Sequence, residues 1–183
     1  MKITKIEAVL LKIKHDRESL PGDFPIVADN LLVRIQTDAG ITGIGSAHIV
    51  PAYGETASEA LSMVKSQYTP LLLDSDPFDI ELIIKKLDHS LEGSFFFYVA
   101  HLPSQAAIDI ALHDIKGKSL EVPVYQLLGG KVRDKVKLLA PQIQRAGAQA
   151  QANEAKQWIE KGFKSIKVKV GGNDTEEDVE RLR

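Results

Sequence analysis

Ala107-Ile108-Asp109-Ile110-Ala111-Leu112-His113-Asp114-Ile115-Lys116-Gly117-Lys118, followed by Pro123-Val124-Tyr125-Gln126-Leu127-Leu128-Gly129-Gly130, divides the chain into two kinds of sequence. The spacing predicts a helix from Ser104 to about Leu120, whose Ala106, Ala107, Ile110, Ala111 and Ile115 make a small-residue face suited to close packing. Asp109 and Asp114 read as structural partners, and so does His113, because a lone histidine on a helix flank is more often held locally than used in chemistry.

Upstream of that stretch, alternation predicts strands at Met1 to Lys14, Leu31 to Thr37 and Ile41 to Ala47. A turn at Asp38, Ala39 and Gly40 joins the last two, which makes a small antiparallel sheet. Residues 15 to 30, with Pro21, Gly22, Asp23 and Pro25, lack periodicity and read as a long loop of the functional kind. Thr56 with Glu59 three positions on matches a capping box, and Leu61, Val64 and Tyr68 share one helical face before Pro70. Asp76 caps a second helix with Pro77 at its first position, Phe78, Leu82, Ile83 and Leu87 at helical spacing, and Gly93 at its close.

Downstream of Gly130 the pattern becomes strand (about Val136 to Ile143), helix (about Ala150 to Lys161), Gly162, strand (Ser165 to Val170) and a helix start at Thr175. This is βαβ order, the mark of a parallel sheet. Two parallel strands cannot cover both faces of their sheet, so either this part is incomplete or the strand assignment is wrong.

The 183 residues carry a net charge of −2, with 23 Lys+Arg against 25 Asp+Glu. That balance offers no footprint for nucleic acid or an anionic membrane, and a small soluble substrate is the better default. With no cysteine, disulfides and thiolate metal sites are excluded. The sequence has no signal-peptide pattern and no apolar run of roughly 18 residues, so a cytoplasmic protein is expected.

The quoted stretch resembles A-x-D-x-A-L-x-D-x-x-G-K…P-x-x-x-L-L-G-G, which leads from capping domain to barrel in the mandelate racemase/muconate lactonizing enzyme family of the enolase superfamily. Two positions depart from it: His113 stands where Trp is usual and Glu121 where Gly is usual. The resemblance implies an α+β capping domain over residues 1–130, a three-stranded antiparallel sheet plus helices. Residues 131–183 would then be the first βαβ part of a truncated (β/α)8 TIM barrel. A capping domain of about 130 residues and a barrel of about 250 make a complete enzyme roughly twice this length.

In Gly162-Phe163-Lys164-Ser165-Ile166-Lys167-Val168-Lys169-Val170-Gly171, period 2 puts Ile166, Val168 and Val170 on one face and Lys167 with Lys169 on the other. Alone, this reads more readily as an edge strand defended by lysines. In a barrel both lysines would point inside, near the C-terminal mouth where such sites lie. Two ammonium groups roughly 6 Å apart at an effective dielectric of about 20 repel by about 3 kcal/mol, which lowers a pKa by about 2. The resemblance assigns the roles: Lys169 the base that takes the proton α to a substrate carboxylate, Lys167 its neighbour beside that carboxylate.

Such a proton is removed at useful speed only if the enediolate is stabilised as it forms. Enolase-superfamily sites are known for a Lys or His base with one or two Mg²⁺ ions, and the resemblance carries that cofactor over. Its ligands, carboxylates of the third, fourth and fifth barrel strands, are expected after residue 183. Asp174, Glu176 and Glu177 are explained by a helix start, so no metal ligand is assigned. Phe24 and Ile26 in the first loop, and Tyr53 in Pro51 to Thr56, would sit over the substrate, the latter stretch resembling the muconate lactonizing branch. Gln142 and Gln144 would turn inward and hydrogen-bond it. The expected function is Mg²⁺-dependent α-proton abstraction from a small carboxylate, a racemase or epimerase first, with acid-sugar dehydratase or cycloisomerase as alternatives. A non-catalytic scaffold or inactive fragment is the remaining one. A homo-oligomer is expected at full length.

Overall fold

Strand β1 (Ile3–Lys14), β2 (Val27–Thr37) and β3 (Thr42–Ile49) form a three-stranded antiparallel sheet in that order. The computed structural model describes residues 1–14, 27–51, 54–90, 101–141, 143, 147–168, 170–171 and 175–182. They divide into two units, one of Met1–Ile13 with Val27–Val132 and one centred on Arg133–Arg183. In the first, the β2–β3 turn falls where the sequence puts it. Thr37 N–H donates to Ile41 O at 3.0 Å, and Gly40 takes φ +75°, a conformation glycine enters without strain.

Register decides what packs on the sheet. Leu31, Val33 and Ile35 of β2 stand opposite Ala47, Gly45 and Gly43 of β3, so large residues on one strand border small ones on the next. Helix α4 (Leu102–Ser119) occupies the resulting trough with backbone against backbone. A Cβ built at Gly45 would lie 1.9 Å from the Ala107 carbonyl oxygen, and one at Gly43 2.1 Å from that of Ala111. The buried face of α4 is therefore Ala107, Ile108, Ala111, Leu112 and Ile115, while Ala106 and Ile110 turn to the surface. The expected small-residue face was right at Ala107, Ala111 and Ile115 and wrong at two residues, Ala106 and Ile110, because contact with β3 selects the line of 107 and 111. At the outer edge of β3, Asp114 Oδ2 accepts the Ile44 N–H at 2.8 Å, and Lys118 Nζ donates to Thr42 O at 2.8 Å.

The capping box at Thr56 and Glu59 is present and opens α1 (Ala57–Ser62). Pro70 does not end this helix. A π-helical stretch, Met63–Tyr68, continues it into α2 (Thr69–Leu72), with Thr69 N–H reaching back five residues to Val64 O. The wider turn absorbs a residue that has no N–H and whose ring crowds the preceding turn. Ala60, Val64, Tyr68 and Leu72, four apart, line the buried side.

Helix α3 (Ile80–His89) starts three residues later than expected. Asp76 Oδ1 accepts the Phe78 N–H at 3.0 Å, and the Asp76 carbonyl accepts from Asp79, so residues 76–79 close a turn of their own. That rotation buries Ile80, Ile83 and Leu87 and leaves Leu82, expected inside, 51% exposed. After α4 the chain turns at Glu121, φ +56°, into the short α5 (Val124–Leu127). A non-glycine residue pays sterically in this region. Glu121→Gly is thus expected to stabilise the protein by about 1 kcal/mol, read as a higher urea midpoint.

In the second unit, α6 (Ala148–Glu160) ends in a Schellman motif. Gly162 N–H donates to Ile159 O at 2.9 Å, Phe163 N–H donates to Trp158 O at 3.1 Å, and the Trp158 and Phe163 rings meet edge to face. Helix α7 (Thr175–Leu182) follows, and its Asp178 Oδ2 accepts the Gly171 N–H at 2.7 Å. Among the described residues the two expected strands meet at one parallel bridge, Ile143 with Val168. Ala140 N–H donates to Ser165 O at 2.9 Å and Ile143 N–H to Lys167 O at 3.0 Å. Donors three residues apart meeting acceptors two apart break the even spacing of a parallel ladder, so the described residues of the two segments form no regular strand. Ala140 and Ile143 are buried, whereas Val136, Leu138, Leu139 and Val170 are exposed.

Candidate functional site

Among the site residues expected from sequence, Phe24, Ile26, Tyr53, Gln142, Gln144 and Lys169 lie outside the described residues. Lys167 is described. Its side chain is exposed and Ile166 and Val168 on either side are half-buried, whereas Val170, expected to share their face, is exposed, so the alternation holds over 166–168 only. Its carbonyl takes the Ile143 hydrogen bond next to the parallel bridge. The structure therefore joins the Lys167 segment to the Ile143 segment, each ending in the residues that the sequence nominates.

A cleft of about 400 Å³ in this unit is lined by Lys137, Leu138, Lys161, Gly162, Phe163, Lys164 and Ser165. These residues begin the two paired segments, and reacting groups in parallel α/β folds gather where strands end. We therefore do not assign the chemistry to that cleft. Lys161 is in any case stacked over the Trp158 ring at 4.4 Å. Among the described residues no three His, Cys, Asp or Glu side chains come together as a metal site. Nor is any helix among them long and apolar enough to cross a membrane.

The first unit holds a polar cluster that sequence reasoning missed. Glu55 is fully buried. Its Oε1 accepts from His101 Nδ1 at 2.9 Å and from Ser104 Oγ at 2.8 Å, and its Oε2 accepts the Ser104 N–H at 3.0 Å. Beside it the Tyr68 hydroxyl, also buried, meets no hydrogen-bond partner of good geometry among the described residues. Burial pushes the Tyr68 phenol up to about 12; nearby Ser104 and Gln105 oppose the rise, and the charges of Glu55 and Asp88 add to it. The one available signal was that α4 opens at Leu102-Pro103-Ser104 without a side-chain cap of its own.

A phenol whose folded pKa exceeds its unfolded value contributes stability that is complete below the unfolded value and lost as pH rises through the folded one. Stability is therefore expected to fall between pH 10 and about 12 through Tyr68. Tyr68→Phe removes both that alkaline loss and a buried hydroxyl with no partner of good geometry among the described residues. It is expected to leave neutral-pH stability unchanged or up to about 1 kcal/mol higher, read by urea titration at pH 7 and 11.

His113 is held to its own helix, Nδ1 lying 3.0 Å from Asp109 O, and Asp114 is engaged by Ile44 and Lys118. Both keep the structural roles read from sequence.

Residues 27–129 match the family described as mandelate racemase / muconate lactonizing enzyme, N-terminal domain. The N-succinyl-L-Arg/Lys racemase of Bacillus cereus is 34% identical over all of this chain and 47% of its own length. Its crystal structure superposes with a TM-score of 0.86. Muconate cycloisomerase 1 of Acinetobacter baylyi is 32% identical, matching 83% of this chain and 40% of its own. A dipeptide epimerase from Enterococcus faecalis, solved with Mg and the dipeptide L-Leu-L-Tyr, gives a TM-score of 0.84 at 28% identity over all of this chain and 49% of that one. The chain spans about half the length of the curated relatives it matches.

Proposed function

Because the chain belongs to the mandelate racemase / muconate lactonizing enzyme family, we propose that its whole protein abstracts the proton α to a small carboxylate, as a racemase or epimerase. Residues 1–130 are then the capping domain and residues 131–183 the opening of the barrel. The observation that carries this reading is the parallel bridge at Ile143 and Val168, because Val168 stands between Lys167 and Lys169 in sequence. In the proposed reaction the Lys169 amine takes the α-proton, and the C–H electron pair moves onto the carboxylate to give an enediolate. Lys167, positively charged, attracts the carboxylate and disfavours a second ammonium at Lys169. Return of a proton from the opposite face inverts the centre; dehydration and cycloisomerisation share the first half.

The Mg²⁺ ion that the family implies finds no ligand set among the described residues, so the steps assigned to this chain are those of its lysines. Racemase and epimerase relatives acting, by their names, on N-succinyl-Arg/Lys and dipeptides support substrates of the type N-acyl amino acid or dipeptide. The test is the full-length protein in D₂O with a panel of such carboxylates and Mg²⁺, followed by ¹H NMR. Loss of the α-proton signal is expected for at least one; a folded protein that exchanges none of them overturns the reading.

A further inference from the structure

We infer that the cleft at the start of the two paired segments binds an organic anion, a phosphate or carboxylate group on an apolar body, through Lys137, Lys161 and Lys164. This binding is separate from the proposed reaction.

The cleft lies wholly within the second unit. Lys137 leads into the segment that carries Ala140 and Ile143, while Lys161 and Lys164 stand on either side of Gly162, φ +92°, where the chain turns out of α6. All three lysines are exposed, and among the described residues none of them pairs with a carboxylate. No acidic side chain lines the cleft. Glu154, one turn back from Trp158 on α6, accepts the Trp158 indole N–H at 3.4 Å. Like charges gathered around one hollow repel, and an anion seated among them relieves that repulsion. The sequence leading into Lys137 adds Arg133 and Lys135 against Asp134, so the positive field extends along the chain.

One of the cations is held in place before any ligand arrives. Lys161 Nζ sits 4.4 Å from the centre of the Trp158 ring, and that ring is braced edge to face by Phe163. A cation already ordered loses less freedom when it takes a ligand. The Ser165 hydroxyl, also on the lining, makes no hydrogen bond among the described residues and is a ready donor to an anionic oxygen. Leu138 and the half-buried Phe163 supply carbon surface between the charges. At about 400 Å³ the cleft falls in the range of roughly 300–1,000 Å³ that small-molecule sites occupy, and it has room for more than a bare anionic group.

The test titrates phenyl phosphate, inorganic phosphate and benzoate into the full-length protein labelled with ¹⁵N-tryptophan, the Trp158 indole signal being assigned with Trp158→Phe. Calorimetry supplies the affinities. Phenyl phosphate is expected to shift the Trp158 signal saturably, and inorganic phosphate to bind at least about threefold more weakly, because its missing ring leaves Leu138 and Phe163 in water. The tighter of phenyl phosphate and benzoate names the anionic group; three ammonium groups favour the dianion.

Lys137→Met, Lys161→Met and Lys164→Met combined should weaken phenyl phosphate by at least about tenfold, the sum of three exposed charge pairs. Lys156→Met, on α6 but outside the lining, should change nothing. An unsaturable Trp158 signal, or undiminished affinity in the triple variant, overturns the site. Equal affinity for inorganic phosphate and phenyl phosphate overturns the organic ligand. Lys169→Met should bind phenyl phosphate as the wild type does. Loss of binding in that variant would put the anion at the reaction centre and overturn the site, whereas a wild type that exchanges no α-proton but binds phenyl phosphate here overturns the reaction alone.

Discussion

Replacing Lys169 by methionine in the full-length protein is expected to lower α-proton exchange by roughly 10²–10⁴-fold, the contribution of a positioned general base. Methionine keeps the length and apolar bulk of the lysine stem and removes the amine, so substrate binding should survive while exchange fails. Where a second base serves the opposite face, one substrate enantiomer loses exchange and its mirror image keeps it. Lys167→Met has a separate signature. A base must be neutral to accept a proton, so activity rises with pH through its pKa. Without the neighbouring positive charge, that rise should move to higher pH. ¹H NMR in D₂O across pH 6–10 reads both effects. Undiminished exchange of both enantiomers by the Lys169 variant would remove it from the reaction.

The second large effect is in the capping sheet. Gly45→Ala adds one methyl group, which would fall 1.9 Å from the Ala107 carbonyl oxygen, 2.7 Å from the Ala111 nitrogen and 3.0 Å from the Ala107 carbonyl carbon. All three are main-chain atoms of α4, so no rotamer change gives way. The helix must lift from the sheet that holds Val33, Ile35 and Ile115 away from water. A cost of roughly 3 kcal/mol or more is expected. Ser46→Ala, next along β3 on the exposed face, should stay within about 0.5 kcal/mol. Urea midpoints of the two variants make the comparison, and equal midpoints would deny that backbone contact sets the helix position.

Period-2 alternation made β2, β3 and their turn readable, and the Thr56–Glu59 spacing made the start of α1 readable, because each is decided within a few residues. Errors arose where distant contacts choose between local options. Leu82 fits a helical stripe, but the Asp76 turn rotates α3 and turns it outward. Residues 136–143 and 165–170 have strand composition, yet among the described residues they pair at one bridge only. Of the site residues, Lys167 is where alternation and burial can be compared, and burial follows it over 166–168 while Val170 is exposed. Glu55 was invisible because its partners lie 46 and 49 residues away, and a glutamate preceding a capping box looks like an ordinary solvated charge.

The outer edge of β3 is also a question of what stays separate. An incoming strand from another molecule would have to bond the Ile44 amide and the Thr42 carbonyl, and Asp114 and Lys118 already occupy both. That ion pair, one turn apart on α4, works as a stopper against edge-to-edge aggregation. Copies of this protein crowded during synthesis would then be kept from zipping sheets together on that side.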